Sequence, residues 1–342
     1  MATKILVTGG TGYIGSHTVV ELIQAGRQVL IVDNLSNSDK SVLEGIEKIT
    51  GVKPQFVEAD CTDAGQMNQV FGQFKPEAVI HFAASKAVGE SVHEPLLYYR
   101  NNLLSLVNIL NLMREHATQH IVFSSSCTVY GQAEKLPVTE QTPRLEATSP
   151  YGNTKHMCED ILRDSVAAYP EIKAVALRYF NPIGAHPSAA IGELPRGVPN
   201  NLIPFVTQTA AGIREQLSVF GDDYNTPDGS CIRDYINVVD LAKAHLVALD
   251  RMLQGKMKNP YEIFNIGTGR GVSTLEIVRT FEKVNGLKLN YRIAGRRSGD
   301  IEAVWADPSY ANEELGWQAR ETLEDTLKSA WNWQKHLSET NK

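Results

Sequence analysis

The sequence predicts an α/β fold: a Rossmann-type, doubly wound parallel sheet followed by a smaller mixed α/β lobe. Short apolar runs alternate with helical periodicity through the first half of the chain, which is the rhythm of parallel βαβ units. A glycine-rich turn at residues 8–15 follows the first apolar run and opens the first helix. After residue 182 the alternation gives way to a long stretch rich in Gly, Pro and Ala.

The elements of the first half are apolar runs bounded by turn and capping residues. The first helix ends at Gly26, a natural C-cap. A later helix begins at Pro150, with Ser149 as its N-cap. The pattern predicts strands at 5–8, 29–32, 55–58, 78–82, 119–124 and 174–178, and helices at 12–25, 38–49, 63–74, 95–116 and from 150 onward.

The second half is predicted as a lobe that follows a long loop at 182–200. Loops of this length inside a compact domain usually carry function. Beyond the loop the pattern predicts helices at 202–212, 239–253, from 274 and from 322, with strands at 218–220, 232–237, 263–266 and 288–292. We expect domains at 1–181 and 182–342, with some segments of the second returning to the first.

Composition excludes several classes of protein. The 342 residues carry a net charge of −6 and show no basic stripe, which argues against nucleic-acid binding. No run of about 18 apolar residues is present, so no membrane span is predicted. The four cysteines are far apart and lack metal or redox spacing, so we expect reduced thiols, no metal site and a cytoplasmic protein.

The glycine-rich turn has the spacing Gly9-x-x-Gly12-x-x-Gly15. Glycines let a backbone approach a pyrophosphate, and the N-terminus of the following helix stabilises the negative charge. The alternative is an ordinary turn between a strand and a helix. Asp33 ends the second strand, where a carboxylate accepts hydrogen bonds from ribose hydroxyls and repels a 2′-phosphate. Together with Asp60, which follows the third strand, these residues predict NAD rather than NADP.

Tyr151 and Lys155 are separated by one helical turn and therefore share a face. A positive charge beside a phenol favours its ionised form, so we expect Lys155 to lower the pKa of Tyr151 and make it a base. Ser126, at the end of the preceding strand, can hydrogen-bond the reacting oxygen. Such a pair is common on ordinary surface helices, but after a dinucleotide turn it predicts hydride transfer at an alcohol carbon.

Arg233, Arg297 and Asp300 are candidates for a nucleotide-diphosphate site in the second lobe. Arginine suits a diphosphate because its planar fork matches phosphate oxygens. The alternative is solvated surface arginine, and of the adjacent Arg296 and Arg297 one can be functional and the other solvated.

The chain resembles the UDP-glucose 4-epimerases, a family of extended short-chain dehydrogenases/reductases. The resemblance keeps the family's order over nearly the whole chain. It rests on residues 7–17, 32–38, 81–91, 124–131, 150–155, 178–182, 233–236 and 296–300.

This resemblance implies tightly held NAD, Tyr151 as the acid–base residue at the sugar's 4-hydroxyl, and Ser126 bridging to O4. It implies that Lys155 binds the nicotinamide ribose. The implied NAD contacts, beyond the glycines above, are Tyr13, Ile14, Asp33, Asn34, Leu35, Ser36, Asn37, Ser38, Asp60, Cys61, Phe82, Lys86, Asn101 and Phe180. The implied UDP-sugar contacts are Asn181, Asn201, Phe220, Arg233, Arg297 and Asp300. The family also implies a homodimer, paired through the helix at 95–116 and the Tyr151 helix.

Two positions refine the expected chemistry. Nucleotide-sugar dehydratases carry an acid just after the strand-end hydroxyl, and Cys127 and Thr128 stand there instead, which disfavours elimination. Val304 falls where the family has either a bulky tyrosine or a small residue, and we expect it to admit a 2-N-acetyl group. Other readings are a pentose 4-epimerase or a decarboxylase on the same scaffold, or a non-catalytic NAD sensor.

Overall fold

The computed structural model of the protein describes residues 2–297 and 300–340. Ser298 and Gly299, in the middle of the 296–300 segment, lie outside the described residues, as do Met1, Asn341 and Lys342.

Strands and helices alternate along the chain. The strands are β1 (Lys4–Thr8), β2 (Gln28–Asp33), β3 (Gln55–Glu58), β4 (Ala78–His81), β5 (His120–Ser126), β6 (Lys173–Tyr179), β7 (Asn181–Ile183), β8 (Leu217–Phe220), β9 (Ile232–Asn237), β10 (Tyr261–Ile266), β11 (Gly271–Ser273), β12 (Tyr291–Ala294) and β13 (Ala303–Val304). The helices are α1 (Tyr13–Gln24), α2 (Val42–Thr50), α3 (Ala64–Phe74), α4 (Val88–His93), α5 (Pro95–Glu115), α6 (Pro150–Ala168), α7 (Leu202–Ala210), α8 (Val238–Leu253), α9 (Thr274–Asn285), α10 (Ser309–Leu315) and α11 (Leu323–Thr340).

In the described part of the chain the main sheet has seven strands in the order β10-β6-β5-β4-β1-β2-β3, all paired in parallel. The central strands are apolar on both faces because helices cover both. One core contains residues of α1, α8 and α10, and the other contains residues of α3, α5 and α6. The predicted doubly wound α/β class is therefore confirmed.

The smaller lobe is mixed. Strands β7, β13 and β11 pair with β9, the last antiparallel, and β8 pairs with β12. Helices α7, α9 and α11 cover these strands with a core of their own that includes Val206, Phe281 and Leu327. All parallel strands of the main sheet end at the same edge, so the turns after β1, β2, β4 and β5 meet there.

Some predicted boundaries are wrong. The helix expected from residue 38 begins at Val42, because Asp33 and Thr11 bind Ser38 and keep residues 34–38 in a loop. The strand expected at 288–292 lies at β12, where it finds β8 as a partner. Short elements such as β7, β11 and β13 escaped notice because two or three residues carry no periodic signal.

The proposed division after residue 181 stays a prediction. The structure places β10, from the second half, beside β6 in the main sheet, and α8 against α1. Within residues 2–297 and 300–340, no helix has the length and apolar character needed to cross a membrane.

Candidate active site

The glycine-rich turn joins β1 to α1 and leaves no room for a side chain at Gly9 or Gly15. Gly9 has φ +69°, a conformation that L side chains rarely adopt, and an added Cβ there would lie 2.8 Å from the Ala83 nitrogen. A Cβ on Gly15 would lie 2.2 Å from the Gly9 carbonyl oxygen. Gly12 is the N-cap residue of α1, but it has no side chain that could hydrogen-bond the first turn. The first-turn N–H groups therefore stay open for a phosphate.

The loop after β2 is built around the carboxylate of Asp33. This carboxylate accepts hydrogen bonds from the Leu35 nitrogen at 2.9 Å, the Ser38 hydroxyl at 3.0 Å and the Thr11 nitrogen at 3.2 Å. Leu35 sits in the left-handed region, with φ 55°. The remaining predicted members of this loop, Asn34, Ser36 and Asn37, follow Asp33 directly at the edge of the sheet.

Asp60 and Cys61 follow β3 beside that loop. The Asn34 amide donates to the Asp60 carboxylate at 3.0 Å, which joins the two turns. Burial alone would raise the pKa of Asp60, but hydrogen bonds from Thr62 and Asn34 hold it below its usual range. Burial raises the pKa of the Cys61 thiol to about 12, so it stays protonated.

The other predicted cofactor residues lie around the same edge. The Tyr13 hydroxyl donates to the Gly184 carbonyl at 2.6 Å, and Ile14 packs against the core. Phe82 follows β4 with its ring 4.7 Å from that of His245. The Lys86 ammonium lies 3.7 Å from Glu193, the Asn101 amide donates to Ser85 at 2.9 Å, and Phe180 is buried between β6 and β7.

Tyr151, Lys155 and Ser126 meet at the carboxyl end of β5. Helix α6 starts with Ser149, which caps it through the Gly152 nitrogen, and carries both the phenol and the ammonium on one face. The Lys155 ammonium lies 5.8 Å from the centre of the Tyr151 ring and donates to the Ser124 carbonyl at 2.6 Å. The Ser126 hydroxyl accepts from the Thr128 nitrogen at 3.2 Å and lies near enough to Tyr151 to lower the pKa of its phenol.

The predicted lowering of the Tyr151 pKa by Lys155 is not the dominant influence on that pKa. Burial raises the pKa of Tyr151 to about 12, and the nearby Ser126 hydroxyl only partly offsets this. Burial also lowers the pKa of Lys155 to about 8. The one-turn spacing predicts only that the charge of Lys155 is near Tyr151. It does not reveal that both side chains are removed from water, which has the larger effect on their pKa values.

A buried ion pair behind these residues was missed by sequence reasoning. Glu159 lies one turn beyond Lys155 on α6, and Arg178 on β6 donates to it twice, at 2.8 and 2.6 Å. Both side chains are almost fully buried, with 3% and 2% exposure. Glu159 also accepts from Ser125 at 2.6 Å, next to Ser126. The usable signal was the spacing 151, 155, 159 along one helical face.

The predicted substrate residues Arg233, Arg297, Asp300 and Phe220 also come together. Arg297 donates to Asp300 at 2.8 and 3.2 Å, and Arg233 lies 3.8 Å from the same carboxylate. The Arg297 guanidinium stands 5.8 Å from the centre of the Phe220 ring. Two arginines and an exposed aromatic ring suit a diphosphate joined to a planar base.

The remaining predicted substrate residues, Asn181, Asn201 and Val304, lie in or beside elements of the smaller lobe. Asn181 begins β7, and Asn201 caps α7 while its amide donates to Glu193 at 2.6 Å. Val304 pairs with Arg233 and is buried in a cluster that includes Phe180.

The residues present fit a dinucleotide: a turn closed to side chains, an uncapped helix N-terminus and a carboxylate at the end of β2. Among the described residues no group of His, Cys, Asp and Glu could hold a metal ion.

Comparison with known proteins finds similar chains over nearly the whole length. A family model described as GDP-mannose 4,6 dehydratase matches residues 6–330. The UDP-glucose 4-epimerase of Bacillus subtilis (strain 168) is 53% identical over 330 residues, 96% of each sequence. The UDP-glucose 4-epimerase from Bifidobacterium longum, in complex with NAD+ and UDP, has a TM-score of 0.94 at 47% identity and covers 98% of each chain. The UDP-Glc/GlcNAc 4-epimerase from Campylobacter jejuni has a TM-score of 0.83 at 37% identity, covering 98% of this chain and 100% of the other.

Proposed function

The chain belongs to the UDP-glucose 4-epimerase family of extended short-chain dehydrogenases/reductases, and we propose that it interconverts UDP-glucose and UDP-galactose with NAD as cofactor, a step of galactose metabolism. The observation that carries the proposal is the meeting of Tyr151, Lys155 and Ser126 at the sheet edge that also holds the glycine-rich turn. The matching family model is described by a dehydratase. Cys127 and Thr128 stand where elimination needs an acid, which favours epimerisation over dehydration.

The cofactor is held by the glycine-rich turn, the loop after β2 and Asp60, with Phe82, Lys86, Asn101 and Phe180 along the remaining edge. Bound NAD would supply a hydride acceptor and donor for C4 of the sugar, and its positively charged nicotinamide would lower the pKa of a nearby phenol. Asp33 selects NAD over NADP because its carboxylate would repel a 2′-phosphate.

Tyr151 holds and moves the proton at O4 of the sugar. Its phenolate takes the 4-hydroxyl proton as C4 becomes a ketone. Its phenol returns the proton after the 4-keto sugar has rotated to present its other face. Ser126 lies near Tyr151 and would bridge to O4 of the sugar, which would let it relay the proton. Lys155 binds the ribose next to Tyr151 and contributes its charge to the site.

The second lobe holds the UDP group and lets the sugar turn. Arg233 and Arg297 bind the diphosphate, Phe220 stacks on the base, and Asn181, Asn201 and Asp300 contact the rest of the nucleotide sugar. Anchoring the nucleotide and leaving the sugar weakly held allows either face of C4 to meet the same cofactor.

N-acetylated substrates are a second activity that we propose for this site. The similar Campylobacter jejuni protein is named for both UDP-Glc and UDP-GlcNAc. Val304 lies beside Arg233 and is smaller than the tyrosine that some relatives carry there. Tyrosine in place of Val304 should remove turnover of UDP-GlcNAc and retain that of UDP-glucose; equal N-acetyl activity in both proteins would overturn this.

The function is tested by proton NMR of the purified protein mixed with UDP-galactose and no added NAD. We expect UDP-glucose to appear and approach equilibrium, which also shows retained cofactor. Activity only after NAD is added would mean a loosely held cofactor. Turnover of UDP-pentoses or UDP-uronic acids alone would support the pentose epimerase or decarboxylase readings, and NAD binding without any turnover would support a sensor.

We propose that the protein works as a cytoplasmic homodimer paired through α5 and α6. These two helices contact each other and expose large apolar side chains, including Leu96 at 80%, Leu97 at 49% and Met157 at 39%. Leu96→Glu should convert the dimer to a monomer in light scattering. Ile213→Glu, at an apolar side chain exposed to 59% elsewhere, is the matched control and should leave it dimeric.

A further inference from the structure

The segment at 184–197, which we call the strap, crosses the cofactor edge of the main sheet. It connects β7 to the approach of α7 and is fixed at its start by the hydrogen bond from Tyr13 to the Gly184 carbonyl, 2.6 Å long. In its middle, the Trp333 indole donates to the Glu193 carbonyl at 2.9 Å. An added Cβ on Gly192 would lie 2.5 Å from the Trp333 ring, so the strap is seated closely on α11.

The far end of the strap is tied to the loop that surrounds Asp33. The Arg196 guanidinium donates to the Ser38 carbonyl and, at 3.4 Å, to the Ser36 carbonyl. Ser38 in turn holds Asp33 and Thr11 through its hydroxyl, at 3.0 and 2.7 Å. One exposed arginine, distant in sequence, therefore supports the carboxylate and the glycine-rich turn through a single serine.

The side chain of Glu193 adds a link at the other end of the cofactor edge. Its carboxylate lies 3.7 Å from the Lys86 ammonium and accepts the Asn201 amide at 2.6 Å. The strap thus touches the first-helix tyrosine, the loop at 34–38 and Lys86, which are separate parts of the predicted NAD site. No other role in the proposed reaction requires these contacts.

We infer that the strap retains the cofactor and that Arg196 is a positioning residue for NAD, acting through the loop at 34–38. This inference rests on the proposed function, because it assumes that NAD is the group held at this edge. That loop has no regular structure and contains the left-handed Leu35, so the contacts from Arg196 add to the hydrogen bonds of Asp33 that hold its shape. Arg196 supplies two charge-assisted hydrogen bonds to its carbonyl groups, and loss of them lets the loop open and NAD leave.

The test is exchange of bound NAD for deuterated NAD, followed by desalting and mass spectrometry of the holoenzyme. Arg196→Met should exchange roughly tenfold faster than wild type, as expected for the loss of two such hydrogen bonds. Arg196→Lys keeps the charge but not the fork, so it should restore slow exchange in part. Arg270→Met, at an exposed arginine paired with Glu276, is the matched control and should exchange at the wild-type rate.

A second readout is tryptic cleavage after Arg214, just beyond α7, compared with and without NAD. Saturating NAD should protect wild type more than Arg196→Met. Equal exchange rates in wild type and Arg196→Met would overturn the strap inference and leave the proposed function intact. A wild-type protein that epimerises nothing and binds no NAD would overturn the function itself, and the strap with it.

Discussion

Arg178 and Arg297 each hold a carboxylate with two hydrogen bonds, yet they lie in very different surroundings. The pair of Arg178 and Glu159 is exposed by only 3% and 2%. Arg297 is exposed by 55% and Asp300 by 13%. The first pair joins α6 to β6 behind the proposed acid–base residues, and the second lies beside Arg233 and Phe220 in the predicted substrate site.

The difference in burial indicates that the first pair fixes the elements that carry it, whereas the arginine of the second pair can exchange its carboxylate for a ligand. A buried ion pair loses several kcal/mol when one partner is removed, so it fixes the elements that carry it. An exposed pair contributes little stability, so its arginine can leave the carboxylate for an incoming diphosphate at small cost. We call the residues around the buried pair, which include the proposed acid–base residues Tyr151 and Lys155, the rigid half of the site. The residues around Arg297 and Asp300, which we propose bind the substrate, are its adjustable half.

The largest expected effect comes from removing the reacting group of the rigid half. Tyr151→Phe keeps the ring and its packing but deletes the hydroxyl, so kcat for UDP-galactose should fall roughly 10³-fold. Its NAD content and its affinity for UDP should match wild type, because the adjustable half is untouched. Tyr310→Phe, at a ring stacked on Phe264, is the control and should keep full kcat. A small loss for Tyr151→Phe would mean that another residue moves the proton.

The second prediction compares how much each ion pair contributes to the free energy of unfolding. Glu159→Gln leaves Arg178 buried beside a neutral partner and should lower the free energy of unfolding by about 3 kcal/mol or more. Asp300→Asn should change it by less than about 1 kcal/mol, since the Arg297 left without its carboxylate is open to solvent. Urea denaturation of both variants measures the contrast. Similar losses for both would show that burial does not distinguish the pairs.

A pH experiment tests how strongly the rigid half is desolvated. Burial lowers the pKa of Lys155 from 10.5 to about 8, so between these values the unfolded chain binds more protons than the folded one. The free energy of unfolding should therefore gain up to ~3 kcal/mol from Lys155 as pH rises through that window. The measurement compares denaturation of wild type and Lys155→Met from pH 7.5 to about 9, where most tyrosines of the unfolded chain are still protonated. Parallel pH profiles for the two proteins would contradict the burial effect.

The smallest effect belongs to the adjustable half. Arg297→Gln removes a phosphate-binding fork and should raise the Kd for UDP about tenfold, with a weaker salt dependence and unchanged NAD content. Arg296 is its sequence neighbour but pairs with Asp223 at 2.7 Å, so Arg296→Gln should bind UDP nearly as wild type does. Calorimetric titration with UDP distinguishes them. A larger loss for Arg296 would assign the diphosphate to the other arginine.

The sequence predicts the main sheet and the acid–base residues because both depend on local pattern. Apolar strands and a one-turn spacing are visible over a few residues, and β5 and α6 lie where expected. The positioning contacts are not local: Arg178 reaches Glu159 across 19 residues, and Arg196 reaches Ser38 across 158. The pKa of Tyr151 was also out of reach, because desolvation depends on how neighbouring elements pack over the phenol.

The return of the chain to the main sheet limits how this architecture can be rearranged. After β9 the chain runs back through α8 and β10, leaves again for β11 and α9, and returns once more to place α10 against β10. Substrate-binding parts are therefore excursions from a continuous scaffold and cannot be removed with a single cut. An attempt to give the molecule a new specificity by exchanging its second lobe would have to splice at several crossing points at once, whereas replacing single loops, such as the one that carries Arg297, leaves the scaffold whole.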